Sequence, residues 1–462
     1  MIDEEGKRLP IKIDATSNGE FVPVPLTRAN RLGNRLAHEF ASSFSKKLSL
    51  TRRQFLVSAC GAASTLLAFN KAHAATGGYF DVPEEAALDE QVAQATLGRP
   101  AGEWIFDVQG HFVDPGGAWA QHAKPGAFSW SPKSSCGKPP LECLGPDEFI
   151  KDVFVDSDTD MMVLSFVPSA PDAEPLTIQA ADAVRQIVEK MGPKRMLVHG
   201  RVNPNQAGDL ERMDELKERW KVSAWKTYTQ FGPGGKGFFL SDDVGTRFIE
   251  KARSLGVKVI CVHKGLPFGP RSYEHSQCSD VGVVAKRFPD VKFLIYHSGF
   301  VTSTPEQAYD HAAKRDGIDT LVRSLLDNGV KPGSNVYAEL GSTWRFLMRE
   351  PEQAAHALGK LIKHCGEDNV LWGTDSIWYG SPQDQIQAFR TFQISRELRD
   401  KHGYAEITPP LRAKIFGLSA AKVYGIAPAP TRKAEEERNP HFLTYGPKTR
   451  RDFFDFLRSN VL

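Results

Sequence analysis

The chain has little net charge, no long apolar run and few cysteines, and each shortage removes a class of function. Its 58 Lys+Arg against 56 Asp+Glu give a formal charge of +2 over 462 residues. The basic excess is confined to residues 1–74, with 11 Lys+Arg against 6 Asp+Glu, and leaves 47 against 50 for residues 75–462. A body this close to neutral carries no footprint for nucleic acid. The apolar stretch from Phe55 to Phe69 is too short for a transmembrane helix. Of the 6 cysteines, 5 lie beyond residue 74, an odd number, so at least one is a free thiol or pairs with another chain. The glycines of "QFGPGGKGFFLSDD" (230–243) lack the register of a nucleotide-binding loop.

What remains is a globular composition, 41% hydrophobic and 25% charged, long enough for one large core or two smaller ones. The basic head has a specific pattern. "LTRRQFLVSACGAASTLLAFNKAHAA" sets Arg52 and Arg53 before an apolar run and ends in Ala72-His73-Ala74, a small-residue cleavage site. This is the layout of a twin-arginine export signal, which implies the twin-arginine translocation machinery as a partner and the periplasm as destination. Within "CGKPPLEC", Cys136 and Cys143 are close enough to bridge, whereas Cys261 sits in an apolar run and reads as inert core.

From Trp104 onward, eight short apolar runs recur: 104–109, 161–166, 195–200, 223–228, 257–263, 291–297, 335–340 and 369–375. After the second they follow one another at βα-unit spacing. The segments between them have helical periodicity. In 242–256, Val244, Phe248, Ile249, Ala252 and Leu255 share a face, Asp242 or Asp243 is placed to cap the start, and Gly256 stops it. Stretches 320–329 and 352–366 behave likewise. Eight strands alternating with helices predict an α/β fold, a (β/α)₈ TIM barrel, with a long loop after strand one and a C-terminal extension. The chain divides into an N-terminal extension with signal (1–74), a lead-in (75–103), the barrel (104–426) and a tail with a short helix (427–462).

Barrel chemistry sits at the C-terminal strand ends. Here those ends read Gln109 and His111, His199 and Arg201, Lys226 and Tyr228, His263, His297, Glu339 and Asp375. A lone strand-end histidine is more often structural, but four of them on converging strands imply a site. On strand one, Gln109 and His111 are two apart and face the same way, as paired metal ligands do, although a Gln amide oxygen is a weaker donor than imidazole.

These strand ends resemble the amidohydrolase-related family, which includes aminocarboxymuconate-semialdehyde decarboxylase, resorcylate decarboxylases and lactonases. The matching stretches are "FDVQGHF", "VICVHKG", "FLIYHSG" and "VLWGTDS", with "LRAKIFGLSAAKVYGI" (411–426) similar to the family's closing segment. The resemblance implies His111, His263 and Asp375 as ligands of one divalent metal, with His297 as catalytic acid/base and Asp375 also orienting water. Zn²⁺ is the first expectation and Mn²⁺ the alternative. Gln109 stands where the family usually has His, as a weak fourth ligand or none. The resemblance also favours a homodimer.

The reading is a metal-dependent hydrolase that opens a lactone, amide or ester bond of a small molecule with metal-activated water. Two alternatives stand beside it: non-oxidative decarboxylation of an aromatic or muconate-type acid, and a metal-free binding protein whose site has lapsed. Arg201 and Lys226 are the candidate cations for a substrate anion, and Trp119 and Trp130, in the loop after strand one, are candidate substrate-lining rings.

Overall fold

The computed structural model describes residues 3, 5–73, 77–121, 136–170, 173–192, 194–267 and 273–428. Ten strands form within them: β1 Gly78–Phe80, β2 Phe106–Gly110, β3 Met161–Leu164, β4 Met196–Arg201, β5 Ala224–Tyr228, β6 Val259–His263, β7 Lys292–Tyr296, β8 Val336–Glu339, β9 Val370–Leu371 and β10 Phe392–Ile394. Strands β2 to β9 pair in sequence order, every neighbour parallel. A parallel bridge from Gly110 to Ser376 joins the two edges, and Asp375 N–H donates to the Gln109 carbonyl at 3.0 Å. The sheet therefore closes into a (β/α)₈ barrel. Closure removes both edges and brings the end of the first barrel strand against the segment after the last.

The sequence pattern explains the layers. Residues of one parity point inward: Ala224 on β5, Cys261 on β6, and Leu294 and Tyr296 on β7 pack together with Phe106 and Val108 in the barrel interior. Their neighbours of opposite parity, such as Trp225, Ile260, Val262, Phe293 and Ile295, meet the surrounding helices. The helix at Asp243–Ser254 buries Phe248, Ile249 and Ala252 as its periodicity predicts, and those at Ile318–Asp327 and Pro351–Cys365 follow the same rule. At the N-terminal end of the barrel, Ala420, Ala421 and Val423 from the closing segment seal the interior against Trp104 and Phe106.

Residues before the barrel are folded onto it. Helices α1 (Arg28–Lys47), α2 (Arg52–Leu56) and α3 (Ala59–His73) lie together, with α3 also against α4 (Glu90–Leu97). The apolar run predicted as the core of an export signal forms α3, and its Cys60, Leu66 and Phe69 are buried. Arg52 and Arg53 stay exposed. No helix among the described residues is long and apolar enough to cross a membrane. Cys136 and Cys143 are disulfide-bonded, while Cys60, Cys261, Cys278 and Cys365 are free and buried. Ala74, Trp130 and the predicted tail helix lie outside the described residues.

Candidate metal centre and active site

The C-terminal rim of the barrel gathers His111 after β2, His263 at the end of β6, His297 after β7 and Asp375 after β9, all buried. Each imidazole has one nitrogen committed to the backbone. His111 Nδ1 lies 3.0 Å from the Ser165 carbonyl, His263 Nε2 3.1 Å from the Leu266 carbonyl, and His297 Nδ1 2.6 Å from the Gly341 carbonyl. A carbonyl can only accept, so these nitrogens carry the hydrogen. The opposite nitrogen of each ring is left as an acceptor, and its orientation is fixed in the way that outer partners fix metal-ligating histidines.

Those nitrogens converge with carboxylate oxygens. His111 Nε2 is 3.1 Å from Asp375 Oδ1, a separation of two acceptors that needs a proton or a cation between them. The Gln109 amide nitrogen lies 3.0 Å from Asp375 Oδ1 and 3.4 Å from both His111 Nε2 and His297 Nε2, donating into the middle of three acceptors where a cation would serve all of them. Ligands on a four-coordinate ion with bonds near 2.0–2.2 Å sit about 3.3–3.6 Å apart; the His111–Asp375 separation is close to that edge, and ligand atoms of Glu20, His263 and His297 fall within 4.8 Å of one another beside it. The donor set fits the group that the fold implies. Gln109 Oε1 has no hydrogen-bond partner among the described residues, so it is the amide nitrogen that faces the cluster.

Local backbone holds this arrangement under strain. His297, Ser298, Ser342 and Asp375 are non-glycine residues with φ of 64°, 53°, 53° and 58°. Such conformations cost roughly 1–3 kcal/mol each and gather where function over-determines the fold. The buried carboxylate of Glu339 pins the turn after β7 by accepting from the backbone N–H of His297 at 3.0 Å and of Gly341 at 2.6 Å. Burial nonetheless pushes it up to about 8. A Cβ at Gly341 would lie 2.1 Å from Gln109 Oε1 and 2.6 Å from Glu339 Oε1, so a side chain there would push both polar groups out of place. Asp107 plays the same part after β9, accepting from the backbone N–H groups of Gln109 and Thr374.

Electrostatics separate the roles. Burial alone would raise Asp375, but contacts with His111, the charge of His297 and the Ser342 hydroxyl at 2.5 Å hold it at about 2. Trp378 N–H also donates to it at 3.2 Å. A carboxylate so supplied with donors is a fixed anion. Burial lowers His297 to about 4 against the opposing pull of Asp375, so it is unprotonated at neutral pH. Lys226 is fully buried, and its Nζ has no hydrogen-bond partner among the described residues; it lies 3.7 Å from the Tyr296 ring centroid and 4.6 Å from that of Tyr228. Burial lowers it to about 8, where it still carries a proton at neutral pH.

The other expected residues fall elsewhere. Arg201 is held by Glu174 and Asp209, each at 3.0 Å, so its charge is already matched. Trp119 sits half-buried in the short helix Ala118–Gln121 and packs on the outer core. Trp378, by contrast, stacks on His111 with centroids 5.7 Å apart, and Tyr228 stacks on His263 at 4.6 Å. His199, at the end of β4, bonds the Tyr424 hydroxyl at 3.0 Å, in the barrel interior.

Two residues of the rim come from outside the barrel. Asn18 Nδ2 donates to Asp375 Oδ2 at 2.8 Å and to Glu20 Oε2 at 2.6 Å. Glu20 lies beside His263 and His297, and ligand atoms of these three residues fall within 4.8 Å of one another. Burial, followed by the charge of Asp375, pushes Glu20 well above the usual carboxylate range. In the sequence, only the "SNGE" turn signal marks this place.

The sequence profile of the amidohydrolase family matches residues 180–426, which include Lys226, His263, His297 and Asp375. No curated protein sequence matches the chain. Among solved structures, it is similar to 5-carboxyvanillate decarboxylase from Sphingomonas paucimobilis at 14% identity and TM-score 0.44, over 71% of this chain and 100% of that one. Similar too are 2,6-dihydroxybenzoate decarboxylase from Rhizobium (14%, TM-score 0.40, 70% and 99%) and dihydroorotase from Campylobacter jejuni (13%, TM-score 0.39, 70% and 84%). With the profile spanning more than half of its length and the strand-end residues on one rim, the chain belongs to the amidohydrolase family.

Proposed function

We propose that this enzyme is metal-dependent and removes CO₂ from a small planar carboxylic acid. The observation that carries the reading is Lys226, a buried cation at the site without a hydrogen-bond partner among the described residues. An ammonium group left so is costly unless an anion visits it, and a substrate carboxylate supplies one. The rings of Tyr228, Trp378 and Tyr379 around the site favour a flat, unsaturated acid of the aromatic or muconate type.

His111, His263 and Asp375 would hold the ion, which when bound supplies Lewis-acid polarisation of a substrate oxygen. Lys226 would bind and orient the carboxylate. His297 would carry the proton through Nε2, since its Nδ1 is tied to Gly341. An arriving anion raises its proton affinity, so that it can take a proton from the bound acid or solvent and return it to the carbon that loses CO₂. Asp375, already anionic, stabilises the protonated ring. Imidazole and carboxylate donors suit Zn²⁺ and Mn²⁺ alike.

The unprotonated state of His297 also supports a second reading, hydrolysis of a lactone or amide with His297 as general base toward water. A panel of aromatic acids, muconate-type acids and lactones incubated with metal-loaded protein separates the two. Stoichiometric CO₂ release that is lost in Lys226→Met supports decarboxylation; ring opening without CO₂ would replace it with hydrolysis. The exposed Arg52–Arg53 pair supports twin-arginine export to the periplasm as a further part of the proposal, tested by whether Arg52→Lys with Arg53→Lys retains the protein in the cytoplasm.

A further inference from the structure

The stretch before α1 is built into the barrel mouth. Ile11 and Ile13 are fully buried, the Ile13 carbonyl accepts from Asn34 Nδ2 at 3.0 Å, and Asp14 forms a buried ion pair with Arg345. Arg349 Nη1 adds a bond of 3.2 Å to the Asp14 carbonyl. The chain then turns sharply. Gly19 adopts φ +95°, Ser17 Oγ accepts from its N–H at 3.0 Å, and Asn18 Oδ1 accepts from Glu20 N–H at 3.0 Å. This turn aims the Glu20 carboxylate inward, with Oε1 3.5 Å from His263 Nδ1 and Oε2 3.8 Å from His297 Nε2. Those edges are again the scale of ligands around one small ion. The Asn18 amide spaces Glu20 from Asp375 by bonding both.

Strand one offers a neutral amide at Gln109, and its nitrogen faces the cluster. The anionic donor that Gln109 does not provide is present on a different segment. A groove lined by Gly19, Glu20, Leu266 and Val301 reaches Glu20 from solvent, which gives an ion a path in.

We propose that Glu20 is a metal ligand, so that the segment before α1, rather than β2, supplies the carboxylate that completes the centre formed by His111, His263 and Asp375. The proposal rests on the reading of this rim as a divalent-metal site. It requires the working enzyme to keep its first 74 residues, so that export through Arg52 and Arg53 would proceed without cleavage after Ala74, which would remove the ligand.

The test uses the full chain as wild type, Glu20→Gln, Glu20→Asp and His111→Ala, stripped of metal and titrated with Zn²⁺ against a chromophoric chelator and with Co²⁺ by visible absorption. Near-UV circular dichroism reports whether each variant is folded. The expected result is one ion per chain in wild type, affinity weakened at least about tenfold in Glu20→Gln with a changed Co²⁺ band, and an intermediate loss in Glu20→Asp. Wild-type affinity and an unchanged Co²⁺ band in folded Glu20→Gln, with binding lost in His111→Ala, would overturn the role of Glu20 alone. Tighter binding in Glu20→Gln would show that the segment only plugs the mouth, and would overturn it too. No binding even in wild type would overturn the metal reading and this proposal together.

Discussion

The two ends of the barrel are both closed by chain from outside the strands, but with opposite chemistry. At the N-terminal end, Ala420, Ala421 and Val423 continue an apolar interior made of Trp104, Phe106 and Leu371. At the C-terminal end, the stretch before α1 brings Asp14, Asn18 and Glu20 onto a rim that already holds three histidines, Asp375 and Lys226. Burial of carbon needs nothing further, whereas burial of this many acceptors, and of an ammonium unbonded among the described residues, is costly until a cation and an anion complete it. The first end is a lid for stability, and the second is the candidate reaction site.

Substitutions should therefore separate stability from chemistry by the end they strike. The largest effect is expected where a structural cation is removed: Arg201→Ala leaves Asp209 buried without its cation and Glu174 with Arg212 alone, and should cost about 3–5 kcal/mol in denaturant unfolding. Phe106→Ala, at the apolar end beside Trp104 and Tyr424, should cost about as much, and both should keep the metal content of the folded protein unchanged. Lys226→Met should do the reverse, lowering turnover roughly 10²–10³-fold while stability holds or rises. A stability loss in Lys226→Met as large as in Arg201→Ala would erase the distinction between the two cations.

A smaller effect is expected from pH in the metal-free protein. Lys226 falls from 10.5 to about 8 on folding, so between those values the unfolded chain binds more protons than the folded one. Wild-type stability should then rise with pH from about 8 to about 10.5 relative to Lys226→Met, and the penalty should be fully present below that window. Parallel curves for the two proteins across this range would show that Lys226 keeps its ordinary proton affinity. The smallest effect is expected from Ser342→Ala, which removes one hydroxyl from an Asp375 that has other donors and should lower metal affinity only a few-fold.

The same contrast explains what could be read without coordinates. All eight barrel strands were legible, because alternating apolar runs at βα spacing leave few folds to choose from, and the strand-end rule then places His111, His263, His297 and Asp375 on one rim. Arg201 and Lys226 look equivalent in sequence, both cations at the ends of adjacent strands. Only the three-dimensional partners distinguish them, and Glu174 and Asp209 lie in connecting segments with no pattern of their own. Asn18 and Glu20 were legible only as part of a turn, not as site residues. They precede the barrel, more than 350 residues from Asp375, in a stretch whose strongest local signal is the downstream Arg-Arg and apolar run. Gln109 was visible as a departure from its family's pattern, but the direction of its amide was not.

The most direct test of the central claim is the metal content of the full chain purified without chelator, wild type beside His111→Ala. About one divalent ion per wild-type chain, absent from His111→Ala, is the predicted result. Wild-type protein that holds none, even after loading with Zn²⁺ or Mn²⁺, would contradict it.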